Sequence, residues 1–176
     1  MVGYVDEVDP DHLSPALKEL HAFYIKRSGA VPGPFKVWMH HEPVALGMRA
    51  YSDVSIRGSS LSEREREIVM LRCAVAHGSD YVATAHRRSA ARVGLSGAEI
   101  EAVCAGGEPG FGHAREQAIY EVAREMSRHA HGSAAAFAKG VDALGLPTIC
   151  EIAALYGFYA ATAVTLNFCG ARLSEG

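Results

Sequence analysis

The chain has no Cys-x-x-Cys pair, no run of basic residues, no apolar leader and almost no alternating strand pattern. Each absence removes a class of protein. Its four cysteines, Cys73, Cys104, Cys150 and Cys169, lie in or beside apolar helical segments. Free and mostly buried thiols in a reduced, cytoplasmic protein are therefore expected, with a disulfide left open. The net charge is −3 and the positive residues are scattered. No basic stripe could track a phosphate backbone, so nucleic acid is not an expected partner. The acidic start, MVGYVDEVDPDH, has no signal-like apolar region, and residues 1–12 are expected to be flexible. Low-complexity tracts and clear internal repeats are absent.

What is present is apolar residues and helix punctuation. Of 176 residues, 49% are hydrophobic, which suits one packed domain over 1–176. Thr148–Cys169 (TICEIAALYGFYAATAVTLNFC) is long enough to span a bilayer. It carries Glu151 and Asn167 and lacks basic anchors before it, so a buried helix is preferred and no membrane partner is expected. Ser14-Pro15 opens a helix ending near Gly29. A second is expected from Phe35 to about Tyr51, with an interruption near Pro43. Capping boxes at Ser62–Glu65 and Ser96–Glu99 open helices to about His77 and Cys104. Between these two, Ser79 or Asp80 caps a helix ending near Gly94. Further helices are expected over 113–129, 133–144 and 147–168. The class is all-α.

The stretch from Leu61 to Gly106 carries the chemistry. Glu67 precedes Leu71 and Ala74 on an apolar stripe, while Glu63 and Arg64 are expected in solvent. Ser79, Val82 and His86 share one face of the next helix, and the small residues Ala83, Ala85, Ala90 and Ala91 permit close packing. A hairpin broken at Gly78 would bring Glu67 to His86 at the wall of a small, mostly dry pocket. A carboxylate and an imidazole so placed form either a proton-transfer pair or a structural hydrogen bond, and spacing alone does not choose. The nine histidines show no standard zinc spacing. His40 and His41 are adjacent and diverge on a helix, and His129-Ala130-His131 reads as solvated. Cys73, Cys150 and Cys169 read as core, and Cys104, beside a glycine-rich turn, as more exposed. Trp38 and the Tyr156/Tyr159 pair read as core, although Phe35–Met39 could roof a pocket.

Glu67 in EREIVMLRCAVAHG, then SDYVATAH ending at His86, then GLSGAEIEAV resembles the carboxymuconolactone decarboxylase family, which includes the AhpD-like alkylhydroperoxidases. The family pattern of a glutamate, two positions three apart and a histidine four further on falls on Glu67, Ser79, Val82 and His86. The likeness runs from about Val37 to Asn167 and also touches His41-Glu42-Pro43 and LYGFYAATAVTLN. It implies an AhpD-like helical bundle with its core at 37–167, assembled as a homo-oligomer, a trimer or hexamer. Peroxidase members carry Cys-x-x-Cys where this chain has Ser79 and Val82, which argues against dithiol cycling. The decarboxylase branch implies no thiol, metal or organic cofactor, and a small carboxylated lactone as substrate. It implies a catalytic set of Glu67, His86 and Tyr81, with Ser79, Val82, Arg87 and Trp38 around the substrate. Its usual glutamate and tryptophan after the tyrosine are Val82 and Ala83 here, so a related acid–base reaction on another small acid fits equally. A thiol-dependent antioxidant protein and a non-catalytic binding or assembly protein are the alternatives.

Overall fold

The computed structural model describes residues 1–128 and 132–173. His129-Ala130-His131 lies outside the described residues. Among the described residues nine α-helices account for most of the chain and no strand occurs, only an isolated bridge between Val2 and Val5. The helices are α1 (Pro15–Ser28), α2 (Gly33–Trp38), α3 (Glu42–Ser52), α4 (Glu63–Ala76), α5 (Asp80–Arg92), α6 (Gly97–Ala105), α7 (Ala114–Arg128), α8 (Ala134–Leu144) and α9 (Leu146–Phe168).

Local chemistry sets most of these boundaries. Ser14, Ser62, Ser96 and Ser133 each accept a hydrogen bond from the amide three residues on, which satisfies an otherwise orphaned donor. The expected helix over 35–51 is two helices, with the break at Met39–His41 and Pro43 in the first turn of α3. Proline suits a helix start because its missing N–H would have no partner there. A π-helical turn, Asp53–Arg57, follows α3.

α4 is the axis of the bundle, packing against α5, α6, α7 and α9. Its second half buries Ile68, Val69, Met70, Leu71, Cys73 and Ala74, so it is apolar all round where neighbours enclose it. Its first half carries charge inward. Arg64, expected in solvent, is largely buried: it donates to Glu116 Oε1 at 2.8 Å, to Glu99 Oε1 at 2.6 Å and to the carbonyl of Gly94. Two carboxylates from α6 and α7 hold the guanidinium there, and its planar fork serves all three acceptors.

α9 buries one stripe, Ile149, Ile152, Leu155, Phe158, Thr162 and Leu166, and leaves Val164 and Phe168 exposed. It is long and apolar enough to cross a membrane by length and composition. Glu151 accepts from Ser59 Oγ and the Ser60 amide, both at 2.8 Å, tying the start of α9 to the segment before α4. Cys150 is exposed rather than core, because Ile149 and Ile152 take the inward positions at that end. Cys104 is buried rather than exposed, in the cluster of Ile68, Leu95, Val103 and Tyr120.

The segment before α1 touches the body of the fold. Val2 is buried, the Tyr4 amide donates to the Cys169 carbonyl at 2.8 Å, and Lys36 Nζ reaches Glu7 Oε1 at 2.6 Å. Gly3 has φ +60, and a Cβ there would collide with that same carbonyl.

Candidate active site

Glu67 and His86 meet because α4 and α5 form a tight antiparallel pair. The Ser79 amide donates back to the Ala74 carbonyl at 2.9 Å, and Gly78 takes φ +59 at the turn. Asn167 of α9 supports that turn, its Nδ2 donating to the His77 carbonyl at 2.8 Å. Two helical turns further along α5, His86 Nδ1 lies 2.8 Å from Glu67 Oε2. The side chains are 16% and 13% exposed respectively. The carboxylate accepts the Nδ1 proton, which fixes the ring and leaves Nε2 without a protein partner among the described residues.

Tyr159 of α9 packs against the pair. Its ring stands edge-on to the His86 imidazole, with centroids 4.8 Å apart and planes at 86°. Burial pushes its phenol above the ordinary tyrosine range, and the nearby Glu67 charge pushes it further, so it is an O–H donor at neutral pH. The sequence signal for Tyr159 was its place in LYGFYAATAVTLN, where an aromatic in an apolar helix reads as packing.

The remaining predicted site residues divide. Ser79 and Val82 are buried on the same face of α5 as His86. Ser79 stands at the N-cap of α5, yet its hydroxyl caps nothing and has no partner. Tyr81 turns away from the pair, its hydroxyl lying against Gly33 at the start of α2. Trp38 joins the cluster under α1 to α3, with Nε1 donating to Thr165 Oγ1 at 3.0 Å. Arg87 is paired with Glu101 of α6 on the outer side. The structure thus groups Glu67, His86, Ser79 and Val82, and directs Tyr81, Trp38 and Arg87 elsewhere.

The thiols lie outside this group. Cys73 Sγ donates to the Tyr156 carbonyl at 3.4 Å, and burial pushes the thiol up to about 12. Burial raises Cys104 as well. Neither is a thiolate at neutral pH, the form a thiol nucleophile needs. Among the described residues no three His, Cys, Asp or Glu side chains converge as a cation site would require. A cavity of about 680 Å³ lies apart from the pair, between α7, α8 and α9, floored by Val122, Met126, Phe137, Ile149, Ala153 and Tyr156.

Residues 43–125 match the carboxymuconolactone decarboxylase family. The fold recurs in solved structures at low identity. An uncharacterized peroxidase-related protein from Silicibacter sp. TM1040 is 18% identical with a TM-score of 0.80, covering 98% of this chain and 92% of that one. An uncharacterized peroxidase-related protein with an alkylhydroperoxidase AhpD core, from Ralstonia eutropha JMP134, is 17% identical with a TM-score of 0.82, covering 99% and 94%. The debrominase Bmp8, in complex with 2,3,4-tribromopyrrole, is 13% identical with a TM-score of 0.77, covering 97% and 91%. These likenesses establish the AhpD-like fold. No curated protein matches the chain in sequence.

Proposed function

As a chain whose residues 43–125 belong to the carboxymuconolactone decarboxylase family, the protein is, we propose, a proton-transfer enzyme. It acts as a cofactor-independent lyase, or a related acid–base enzyme, on a small carboxylated lactone or acid. One observation carries the reading: His86 Nδ1 is held by Glu67 at 2.8 Å while Nε2 remains free to meet a substrate.

Loss of carbon dioxide breaks the bond between the carboxylate and the ring carbon. The electron pair passes into an adjacent carbonyl as an enolate. With its Nδ1–H held by Glu67, doubly protonated His86 delivers the Nε2 proton to the carbon that lost the carboxylate. Solvent then reprotonates the imidazole. The small planar ring bound to the structurally similar debrominase is of the size proposed for this substrate.

The expected result is that His86→Ala and Glu67→Gln leave a folded protein but lower kcat by at least a hundredfold on an identified lactone acid, within the usual range for general acid–base catalysis. Full turnover by either variant would remove the assigned roles. The thiol-antioxidant reading loses support from Ser79, Val82 and the protonated Cys73. A purely structural pair would show itself as lost stability with no reaction to lose.

The same reading includes a homo-oligomer, a trimer or hexamer, in the reducing cytoplasm. The exposed side of α9, with Val164 and Phe168, is the apolar surface such an assembly would cover.

A further inference from the structure

The cavity between α7, α8 and α9 lies outside the chemistry proposed above. Gly140 fixes its third wall. A Cβ there would lie 2.9 Å from Val122 Cγ2 and 3.2 Å from Ile149 Cδ1, so α8 meets α7 and α9 with no side chain between them. The space beside that contact is about 680 Å³, the size of a small-molecule site. Val122 and Met126 of α7, Phe137 of α8, and Ile149 and Tyr156 of α9 make its lining apolar. Phe137 is 56% exposed although it stands on a cavity wall. A large apolar ring left in water beside an apolar space is buried favourably once that space is filled.

The cavity is long rather than round. Its lining runs along α9 from Ile149 to Gly157, a rise of about 12 Å, and along α7 from Ala118 to Arg128, a rise of about 15 Å. The two helices run in the same direction here. Val122 and Ile149 both meet Gly140, and further along Tyr156 Oη reaches Ser127 Oγ at 3.4 Å. Arg128 therefore marks one end of the trough and Ile149 the other. The charged side chains of the lining have most of their partners already. Glu121 Oε2 accepts from Lys139 Nζ at 2.6 Å, and Glu125 Oε1 accepts from the Ser133 amide at 3.0 Å. Arg124 donates to Glu108 Oε1 at 2.6 Å. Both carboxylates of the lining are engaged, whereas Arg128 is exposed and pairs with no carboxylate among the described residues. An apolar trough thus ends at an unmatched cation.

We propose that this cavity is a second ligand site and takes a medium-chain alkyl carboxylate. The chain lies between α7, α8 and α9 over the apolar floor, and the carboxylate meets the Arg128 guanidinium, whose fork matches two carboxylate oxygens. A compact ring acid of the size proposed for the lyase would leave most of the trough empty. An uncharged hydrocarbon would fill it and leave the cation without a counterion. A chain with one terminal acid satisfies the length, the floor and the charge together. The site is separate from Glu67 and His86, and the inference does not depend on the lyase reading.

The probe is decanoate, titrated calorimetrically below its micelle concentration, with 1-decanol as the uncharged control. Wild type should bind one decanoate per chain, saturably. Arg128→Gln should weaken decanoate about tenfold, the effect of one lost hydrogen-bonded charge pair, and leave decanol unchanged. Ala153→Trp and Ala143→Trp fill the cavity from opposite walls, and both positions are exposed, so the core is spared. Each should abolish binding of both probes while melting close to the wild-type temperature. His86→Ala should bind decanoate as wild type does. No saturable binding by wild type overturns the proposal, as does full binding by both tryptophan variants. Equal losses of decanoate and decanol in Arg128→Gln would take the head group away from that end. Binding lost in His86→Ala would put the acid at the proton-transfer pair. A lower sedimenting mass for the tryptophan variants would show that a second copy of the chain covers the cavity. Each of these three outcomes also overturns the proposal.

Discussion

A 2.8 Å contact between a carboxylate and an imidazole, both mostly buried, is strong enough to show in stability as well as chemistry. Glu67→Ala and His86→Ala should each cost about 1–3 kcal/mol in denaturant unfolding, since each strands a desolvated partner. The double variant should cost less than their sum, and strict additivity would mean that the two groups do not interact. Cys73 offers a pH test. Its folded pKa, about 12, lies above the ordinary 9.0, so the folded state holds that proton more tightly. The resulting stability is intact below pH 9 and is lost as pH rises from 9 towards 12. The loss should reach up to about 4 kcal/mol, three units at 1.36 kcal/mol each, and Cys73→Ala should flatten that alkaline limb. In native labelling at neutral pH, Cys150 should react first and Cys73 last. At this scale the pair was legible, because Ser79, Val82 and His86 fall at helical spacing and Glu67 heads an apolar stripe. Tyr159 was not, because in a helix rich in alanine and leucine a tyrosine looks like ordinary packing until a facing helix is known.

Helix starts were the most readable elements. Four serine caps bond as their sequence pattern indicates, and Ser79, the other serine N-cap of an α-helix among the described residues, does not. Ser62→Ala and Ser96→Ala should therefore each lower stability by about 1 kcal/mol. Ser79→Ala should not, and a comparable loss there would show that its hydroxyl caps α5 after all. The chain break between α2 and α3, at Met39–His41, lies two to four residues before the proline that signalled it. Proline tolerates the first turn of a helix and so marks a start rather than the break itself. Arg64 was misplaced because its neighbours in sequence are charged, whereas its partners Glu99 and Glu116 arrive from helices distant in the chain. Arg64→Met should cost about 2–4 kcal/mol by leaving Glu116 buried without its cation, measured by urea unfolding.

For the molecule as a whole, the all-α class was readable from helix signals, while the arrangement around α4 needed contacts that no local pattern encodes. α9 shows the limit most clearly. Its apolar residues are compatible with a core helix or a membrane span, and the structure gives it one buried stripe and one bare side. If copies of the chain cover that bare side, Val164→Glu with Phe168→Glu should shift the sedimenting species to the mass of one chain at micromolar concentration. An unchanged assembly would place the contact elsewhere. The clasp between Tyr4 and Cys169 has a practical consequence of another kind. It brings the Tyr4 and Cys169 segments of the folded body to the same corner. A short peptide joining them, with a fresh opening cut in the glycine-rich loop near Gly110, should yield a rewired polypeptide of unaltered shape.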